Sequence, residues 1–206
     1  MLSHMPVCGV KSAIDDMVLL VGISGKLGAG KDTVKDLIIE LDGREWTTLR
    51  FADRLKAVVS SLTATRLEDN YTREGKQLKP AGFDQSLGTL QQLVGMALRT
   101  HVDPDVWVKV TLAEVISAME GDGDRRYVVS DVRFKNEARY IQELGGILIR
   151  VNGDPAGVRA QDGRDLNHVS ETDLDDYGAF DVVIENTGTL EELSELVKQV
   201  VLTRLQ

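Results

Sequence analysis

The chain has 206 residues, 42% of them hydrophobic and 28% charged, with a formal net charge of −9. That length supports one domain with a sizeable core, and the acidic balance argues against a nucleic-acid polymer as partner. The one cysteine, Cys8, excludes an intrachain disulfide and a multi-cysteine metal site, and points to a reducing compartment.

Residues 1–16 mix Pro, Lys, Asp and His without a signal-peptide pattern and are set aside as an N-terminal extension. No apolar run reaches ~18 residues, so neither a spanning helix nor a membrane partner is expected, and the setting is read as cytoplasmic. Met17–Ile23 is apolar throughout and reads as a buried strand. Gly25-Lys26-Leu27-Gly28-Ala29-Gly30-Lys31 follows, with the spacing G-x-x-x-x-G-K. Val34, Leu37, Ile38 and Leu41 then recur at helical intervals. Strand, glycine loop and helix in that order are the context of a P-loop, whose backbone N–H groups turn inward around a phosphate. The new helix adds its positive end, and Lys31 reaches the outer phosphates. Nucleoside triphosphate binding is therefore expected.

The residue after the lysine departs from the usual Ser or Thr: it is Asp32, followed by Thr33. A carboxylate beside phosphate calls for a cation between them, so a magnesium-dependent site is expected, with Asp32 or Thr33 at the ion.

Further along, Asp42-Gly43 is a stop and Trp46–Phe51 reads as a second strand. Leu55, Val58, Val59 and Leu62 give helical spacing over 53–65, and the polar stretch 66–86 reads as a mobile surface excursion. Leu90, Leu93, Val94, Ala97 and Leu98 mark another helix, and Asp105–Met119 a further one with Pro104 near its start. Gly121–Asp124 is a turn, Tyr127–Ser130 a short buried strand ending at Asp131, and 134–144 a helix closed by Gly145-Gly146. Ile147–Val151 is the next strand, 152–172 a glycine-containing loop, and Asp181–Glu185 the last strand. Thr189 and Glu192 form a capping box that opens an amphipathic helix through Leu193, Leu196, Val197, Val200 and Val201.

Strands alternating with helices predict an α/β three-layer fold: a five-stranded parallel sheet with helices on both faces. A helical insertion is expected over about 52–120 and a lid over about 152–172, within one domain spanning 17–206. Ligands in such sheets sit beyond the carboxyl ends of the strands. Asp131 at a strand end opposite the glycine loop suits magnesium or its waters, and Arg133 suits a phosphate. Arg150, Arg159 and Arg164 flank or populate the lid, which would close and stabilise a transferring phosphoryl group. Arg54, Lys56, Arg99 and Lys109 bring positive charge to the insertion and suggest a second phosphate-bearing substrate. Gln91 is placed to hydrogen-bond a base. The lone His168 reads as structural, and Met96, Met119 and Trp107 as core.

Taken together, GKLGAGKDT (25–33), FADRLK (51–56), Leu90-Gln91 with Arg99 and Trp107, SDVRFKNE (130–137), HVSE (168–171) and NTGT (186–189) resemble the bacteriophage deoxynucleoside monophosphate kinases, from Met17 onward. The resemblance implies transfer of the ATP γ-phosphoryl group to a deoxynucleoside monophosphate, with magnesium. It implies that Gly25, Lys26, Gly28, Ala29, Gly30, Lys31, Asp32 and Thr33 hold the ATP phosphates, and that Asn186 and Gly188 pass beside adenine. Ala52, Asp53, Lys56, Gln91, Arg99, Trp107, Arg133, Glu137, Ser170 and Glu171 fall to the acceptor. Lys31, Asp131, Arg133, Arg159 and Arg164 fall to catalysis, and Asp32, Thr33 and Asp131 to the metal. Lys135 stands where proline is expected, and a homodimer is compatible with the resemblance. Two other readings stand at this point: a small-molecule kinase of the phosphomevalonate or dephospho-coenzyme A type, and a non-catalytic ATP-dependent binding module. A GTP-type switch would carry N-K-x-D, and residues 186–189 do not.

Overall fold

A computed structural model describes residues 18–120, 125–157 and 169–205. The expectations for the N-terminal extension, the 121–124 turn, Arg159, Arg164 and His168 lie outside the described residues. The chain divides into two compact units, one holding residues up to Leu49 and from Glu114 onward, the other Arg50–Ala113.

The first unit is built on five strands: β1 (Val18–Gly25), β2 (Thr47–Leu49), β3 (Arg125–Val132), β4 (Ile147–Asn152) and β5 (Val182–Glu185). Their order is β2-β3-β1-β4-β5, and every neighbouring pair is parallel. The glycine loop leaves the central strand, β1, which has β3 on one side and β4 on the other, so the strand order switches sides there; ligands bind at the carboxyl ends of strands at such a point. β1 is buried on both faces, which is why it reads as a continuous apolar run rather than an alternation. Val21 and Ile23 point to one face, where they cluster with Val34 and Ile38 of α1 (Lys31–Asp42) and with Leu193 and Val197 of a C-terminal helix. Gly22 points to the other face, beneath Ile141. Each fully buried aliphatic side chain of this kind stabilises by about 1.5–3 kcal/mol.

β2 is shorter than its sequence suggests. Phe51 does not end a strand; it opens α2 (Phe51–Thr63), buried on the helix's inward side. β3 is longer, running through Asp131 to Val132.

The second unit contains α2, α3 (Arg73–Gln77), α4 (Leu87–His101) and most of α5 (Val106–Met119). Val59, Leu87 and Leu90 form its buried cluster, with Leu55, Phe83 and Val94 packed against it. The stretch read as a loose excursion carries a 3-10 turn at Leu67–Asn70 and α3, which Thr72 caps by accepting from the Gly75 N–H at 3.0 Å. Elements of four or five residues are too short to show a hydrophobic period, so composition alone reads as loop. Leu62, Leu93 and Met96, read as inward-facing, are exposed.

Returning to the first unit, α6 (Lys135–Glu143) follows β3, the short α7 (Val169–Thr172) precedes β5, and α8 (Leu190–Val200) closes the chain. The Thr189 capping box forms as expected: the Glu192 N–H donates to Thr189 Oγ1 at 3.2 Å and the Thr189 N–H to Glu192 Oε2 at 2.8 Å. Leu196, expected on the buried stripe of α8, is partly exposed, whereas Leu193 and Val197 are buried.

Candidate active site

At the end of β1 the chain turns through Gly25–Gly30 into α1, whose N-cap is Gly30 in the left-handed region (φ 90°). The Ala29 N–H donates to the Lys26 carbonyl at 3.2 Å, closing the loop on itself. Lys31 Nζ donates to the same carbonyl at 2.9 Å, which folds the lysine back over the loop. Burial, then the neighbouring Arg133, lowers the Lys31 pKa to about 8, against the pull of Glu171, Asp32 and Asp131. A buried ammonium beside a guanidinium is one that a bound anion would stabilise.

Arg133 follows the last residue of β3. Its guanidinium donates to Glu171 Oε1 and to the Ser170 carbonyl (3.3 Å). The Leu27 N–H of the glycine loop donates to the other oxygen of the same carboxylate, at 3.1 Å. Burial alone would push the Glu171 carboxyl up; Arg133, the Leu27 N–H and Lys31 outweigh it and hold the pKa below the usual range. Ser170 and Glu171, both expected at the acceptor, thus lie against Arg133, and Glu171 also reaches the glycine loop.

The same acidic stretch continues the pattern. Asp175 pairs with Lys26 at 2.7 Å and with Arg150 at 3.2 Å. Asp173 accepts from the Lys135 N–H at 2.7 Å, and Asp176 pairs with the Lys135 ammonium at 2.7 Å. Lys135 is the first residue of α6, a position proline also suits; proline has no N–H for Asp173. Arg150 also donates to Asn152 Oδ1 at 3.1 Å and to Ser24 Oγ at 3.4 Å. Asp175 and Asn152 were not singled out in the sequence; the run Asp173–Asp176 ahead of a strand was the available signal.

Glu137 does something other than face a ligand. It is 1% exposed, and its Oε2 accepts from the backbone N–H groups of Arg133 (2.8 Å) and Phe134 (3.1 Å). This is the glutamate half of a capping box at the start of α6, since phenylalanine has no side-chain acceptor to complete it. Its assignment to the acceptor gives way to a role in setting the turn that carries Arg133.

Asn186 is buried at the end of β5, and its Nδ2 donates to the Ala29 carbonyl at 3.0 Å. A groove of about 410 Å³ lies beside it, lined by Thr187, Gly188, Glu192 and Leu196 among others.

For a metal, Asp32 is exposed on the first turn of α1, Thr33 is half-buried beside it, and Asp131 is half-buried near the end of β3. Asp32 and Asp131 both act electrostatically on Lys31. Carboxylate and hydroxyl oxygens are hard donors that suit magnesium. Among the described residues no group of three or more His, Cys, Asp or Glu is arranged around a metal.

The second unit holds the other expected acceptor residues. Ala52, Asp53 and Lys56 lie on the first turns of α2. Tyr71 donates its hydroxyl hydrogen to Asp53 Oδ1 at 2.8 Å, and the Lys56 ammonium sits 3.7 Å from the centre of the Tyr71 ring. Tyr71 was missed, because one tyrosine in a polar stretch carries no pattern. Gln91 Nε2 donates to both the carbonyl and the Oδ1 of the buried Asn70, at 3.1 and 2.9 Å. Arg99 is in the last turn of α4, half-buried. Trp107 is 4% exposed and its indole N–H donates to the Gly95 carbonyl at 3.2 Å, so the ring belongs to the packing of this unit.

A parallel sheet of this order with a glycine cradle at the end of its central strand is the P-loop kinase fold. The fold is similar to that of TT1252 from Thermus thermophilus, with a TM-score of 0.54 and 21% identity, over 92% of this chain and 99% of that one. The profile of the deoxynucleotide monophosphate kinase family matches residues 83–197. A putative deoxynucleotide monophosphate kinase of Acanthamoeba polyphaga mimivirus is 30% identical over 185 residues, covering 85% of this chain and 92% of the relative. An uncharacterized protein, ORF76, of Ictalurid herpesvirus 1 (strain Auburn) is 29% identical over 193 residues, covering 86% of this chain and 70% of the relative. The chain belongs to the deoxynucleotide monophosphate kinase family. The other small-molecule kinase readings and the binding-module reading are not favoured by these matches. Among the described residues no helix is long and apolar enough to cross a membrane.

Proposed function

We propose that this kinase converts a deoxynucleoside monophosphate and ATP into a deoxynucleoside diphosphate and ADP, at the cradle formed by Gly25–Thr33 with Arg133. An oxygen of the acceptor's phosphate forms a bond to the γ-phosphorus while the bond from that phosphorus to the β–γ bridging oxygen breaks, and ADP leaves with the electron pair. The acceptor phosphate is already ionised, so no strong base is required, and catalysis consists of positioning and charge stabilisation.

The observation that carries this reading is the meeting of Arg133 and the Leu27 N–H on one carboxylate, that of Glu171, with the Lys31 ammonium near enough to act on it electrostatically. An ammonium, a guanidinium and a main-chain N–H focused on one anion are what a transferring phosphoryl group requires. Magnesium, held by Asp131 with Asp32 or Thr33, would neutralise charge on the phosphate oxygens. Lys56 and Arg99 supply positive charge for the acceptor, and Gln91 reads its base. Gly188 lines the adenine side, and Arg159 and Arg164 close over the phosphates. The narrower kinship with bacteriophage enzymes rests on the order of the motifs. A cytoplasmic setting and a homodimer are parts of the same reading.

A coupled ADP-release assay with the four common deoxynucleoside monophosphates and their ribose counterparts tests it. Turnover and a diphosphate product are expected with at least one deoxynucleotide. Turnover only with an unrelated phosphate ester overturns the acceptor assignment.

A further inference from the structure

Asn186 lies 157 positions from Ala29 in sequence, yet its amide is bonded into the glycine loop. The Ala29 carbonyl and the Gly30 N–H belong to one planar trans peptide, so they point in opposite directions. Whatever holds the carbonyl therefore aims the N–H. Ala29 is fully buried, and a buried carbonyl without a partner is unfavourable, so the bond from Asn186 also secures the peptide in that orientation.

The asparagine has little freedom to do anything else. Its own N–H donates to the Asn152 carbonyl at 2.8 Å, which ties its backbone to the end of β4. A Cβ on Gly30 would lie 2.4 Å from Asn186 Nδ2, and a Cβ on Gly153 would lie 2.0 Å from the Asn186 carbonyl oxygen. Both glycines have left-handed φ values, 90° and 120°, which side chains rarely adopt. Asn186 is thus enclosed between two positions that admit only glycine, at 5% exposure.

We propose that Asn186 is a positioning residue for the phosphate cradle: its side chain holds the Ala29 carbonyl so that the Gly30 N–H faces bound phosphate, and it serves the triphosphate rather than the base. The inference rests on the reading of the cradle as the ATP site and replaces the adenine-side role expected for this side chain. Asparagine suits the task because it is short, uncharged and a donor. Aspartate has the same shape but presents an oxygen to the carbonyl, which repels it.

The test separates phosphate from base. Calorimetry measures the binding of magnesium tripolyphosphate and, separately, adenosine to the wild type, Asn186→Asp and Asn186→Ala, with melting temperatures taken without ligand. Tripolyphosphate affinity is expected to fall by about tenfold in Asn186→Asp, and by less in Asn186→Ala. Adenosine binding is expected to hold. The KM for ATP is expected to rise in the same proportion while the KM for the acceptor stays constant. A merely structural role lowers the melting temperature and leaves the affinity of the folded protein unchanged; that result overturns the proposal, as does a loss confined to adenosine. If Asn186→Asp does not fold, Asn186→Ser, which loses the amide donor without adding charge, takes its place. Failure of the acceptor panel with tripolyphosphate binding intact would count against the acceptor assignment and leave this inference standing.

Discussion

Arg133 and Glu171 are joined across 38 residues of sequence by an ion pair whose carboxylate also receives the Leu27 N–H of the glycine loop. On the proposed function, the carboxylate occupies contacts that a phosphate oxygen would take, and phosphate binding would displace it from Arg133. Glu171→Gln keeps the shape and removes the competing charge. An ion pair of this partly exposed kind is worth about 1 kcal/mol, so ATP or the acceptor is expected to bind roughly fivefold more tightly in the variant. Equilibrium titration with each nucleotide checks this; weaker binding would make Glu171 a substrate ligand instead.

The depressed pKa of Lys31 has a directional consequence. Folding lowers it to about 8 from 10.5. Between those values the unfolded chain holds more protons than the folded one, so this residue's contribution to stability improves as pH rises through that window. Below about 8 the burden of burying the ammonium is fully present. Anionic phosphates stabilise the charged form, so ATP binding at about pH 8.5 takes up a proton, and affinity falls from about pH 7 to about pH 9. Calorimetry in buffers of different ionisation enthalpy measures the uptake directly. Lys31→Met is expected to abolish the linkage along with most of the affinity.

Much of this architecture was legible in the sequence because it is local or periodic. Val18–Ile23, most of the buried parallel strand β1, is an unbroken apolar run; Val34, Leu37, Ile38 and Leu41 mark α1 at helical intervals; Thr189 and Glu192 announce a helix start. Phe51 was misassigned because a large apolar residue after Thr47-Thr48-Leu49 reads as continued alternation, and only the packing of α2 shows otherwise. The site was legible as residue types and not as partnerships. Arg133 and Asn186 were singled out, but their partners Glu171 and Ala29 lie 38 and 157 positions away, and no spacing rule links them. Glu137 came to the acceptor set only through the resemblance carried by SDVRFKNE; its burial and its two backbone donors are visible only in three dimensions.

Glu137 is accordingly expected to matter through stability and through the placement of Arg133. Truncation to alanine leaves two N–H groups, those of Arg133 and Phe134, without their shared acceptor. Loss of a buried charged acceptor of this kind costs about 2–3 kcal/mol. Urea denaturation of Glu137→Ala should show a lower midpoint by that amount. Glu137→Gln retains one oxygen acceptor and is expected to lose less than half as much.

Asn70 and Gln91 give the second unit a comparable arrangement. Asn70 is fully buried, and both of its oxygens receive Gln91 Nε2. Spending the amide nitrogen this way leaves the Gln91 Oε1 as the group available to a ligand, and a carbonyl can only accept. A base read by Gln91 must then present an N–H. Asn70→Ala removes the side-chain half of that hold, opens a small cavity and frees the glutamine to rotate. It is expected to destabilise the protein by about 1–3 kcal/mol and to flatten the preference among acceptor bases. Asn70→Asp keeps the acceptor oxygen at the same place, so the ranking of bases should survive in it even where stability falls. Measuring kcat/KM for each deoxynucleotide in the two variants separates the outcomes: an unchanged ranking in Asn70→Ala would mean that Gln91 does not read the base.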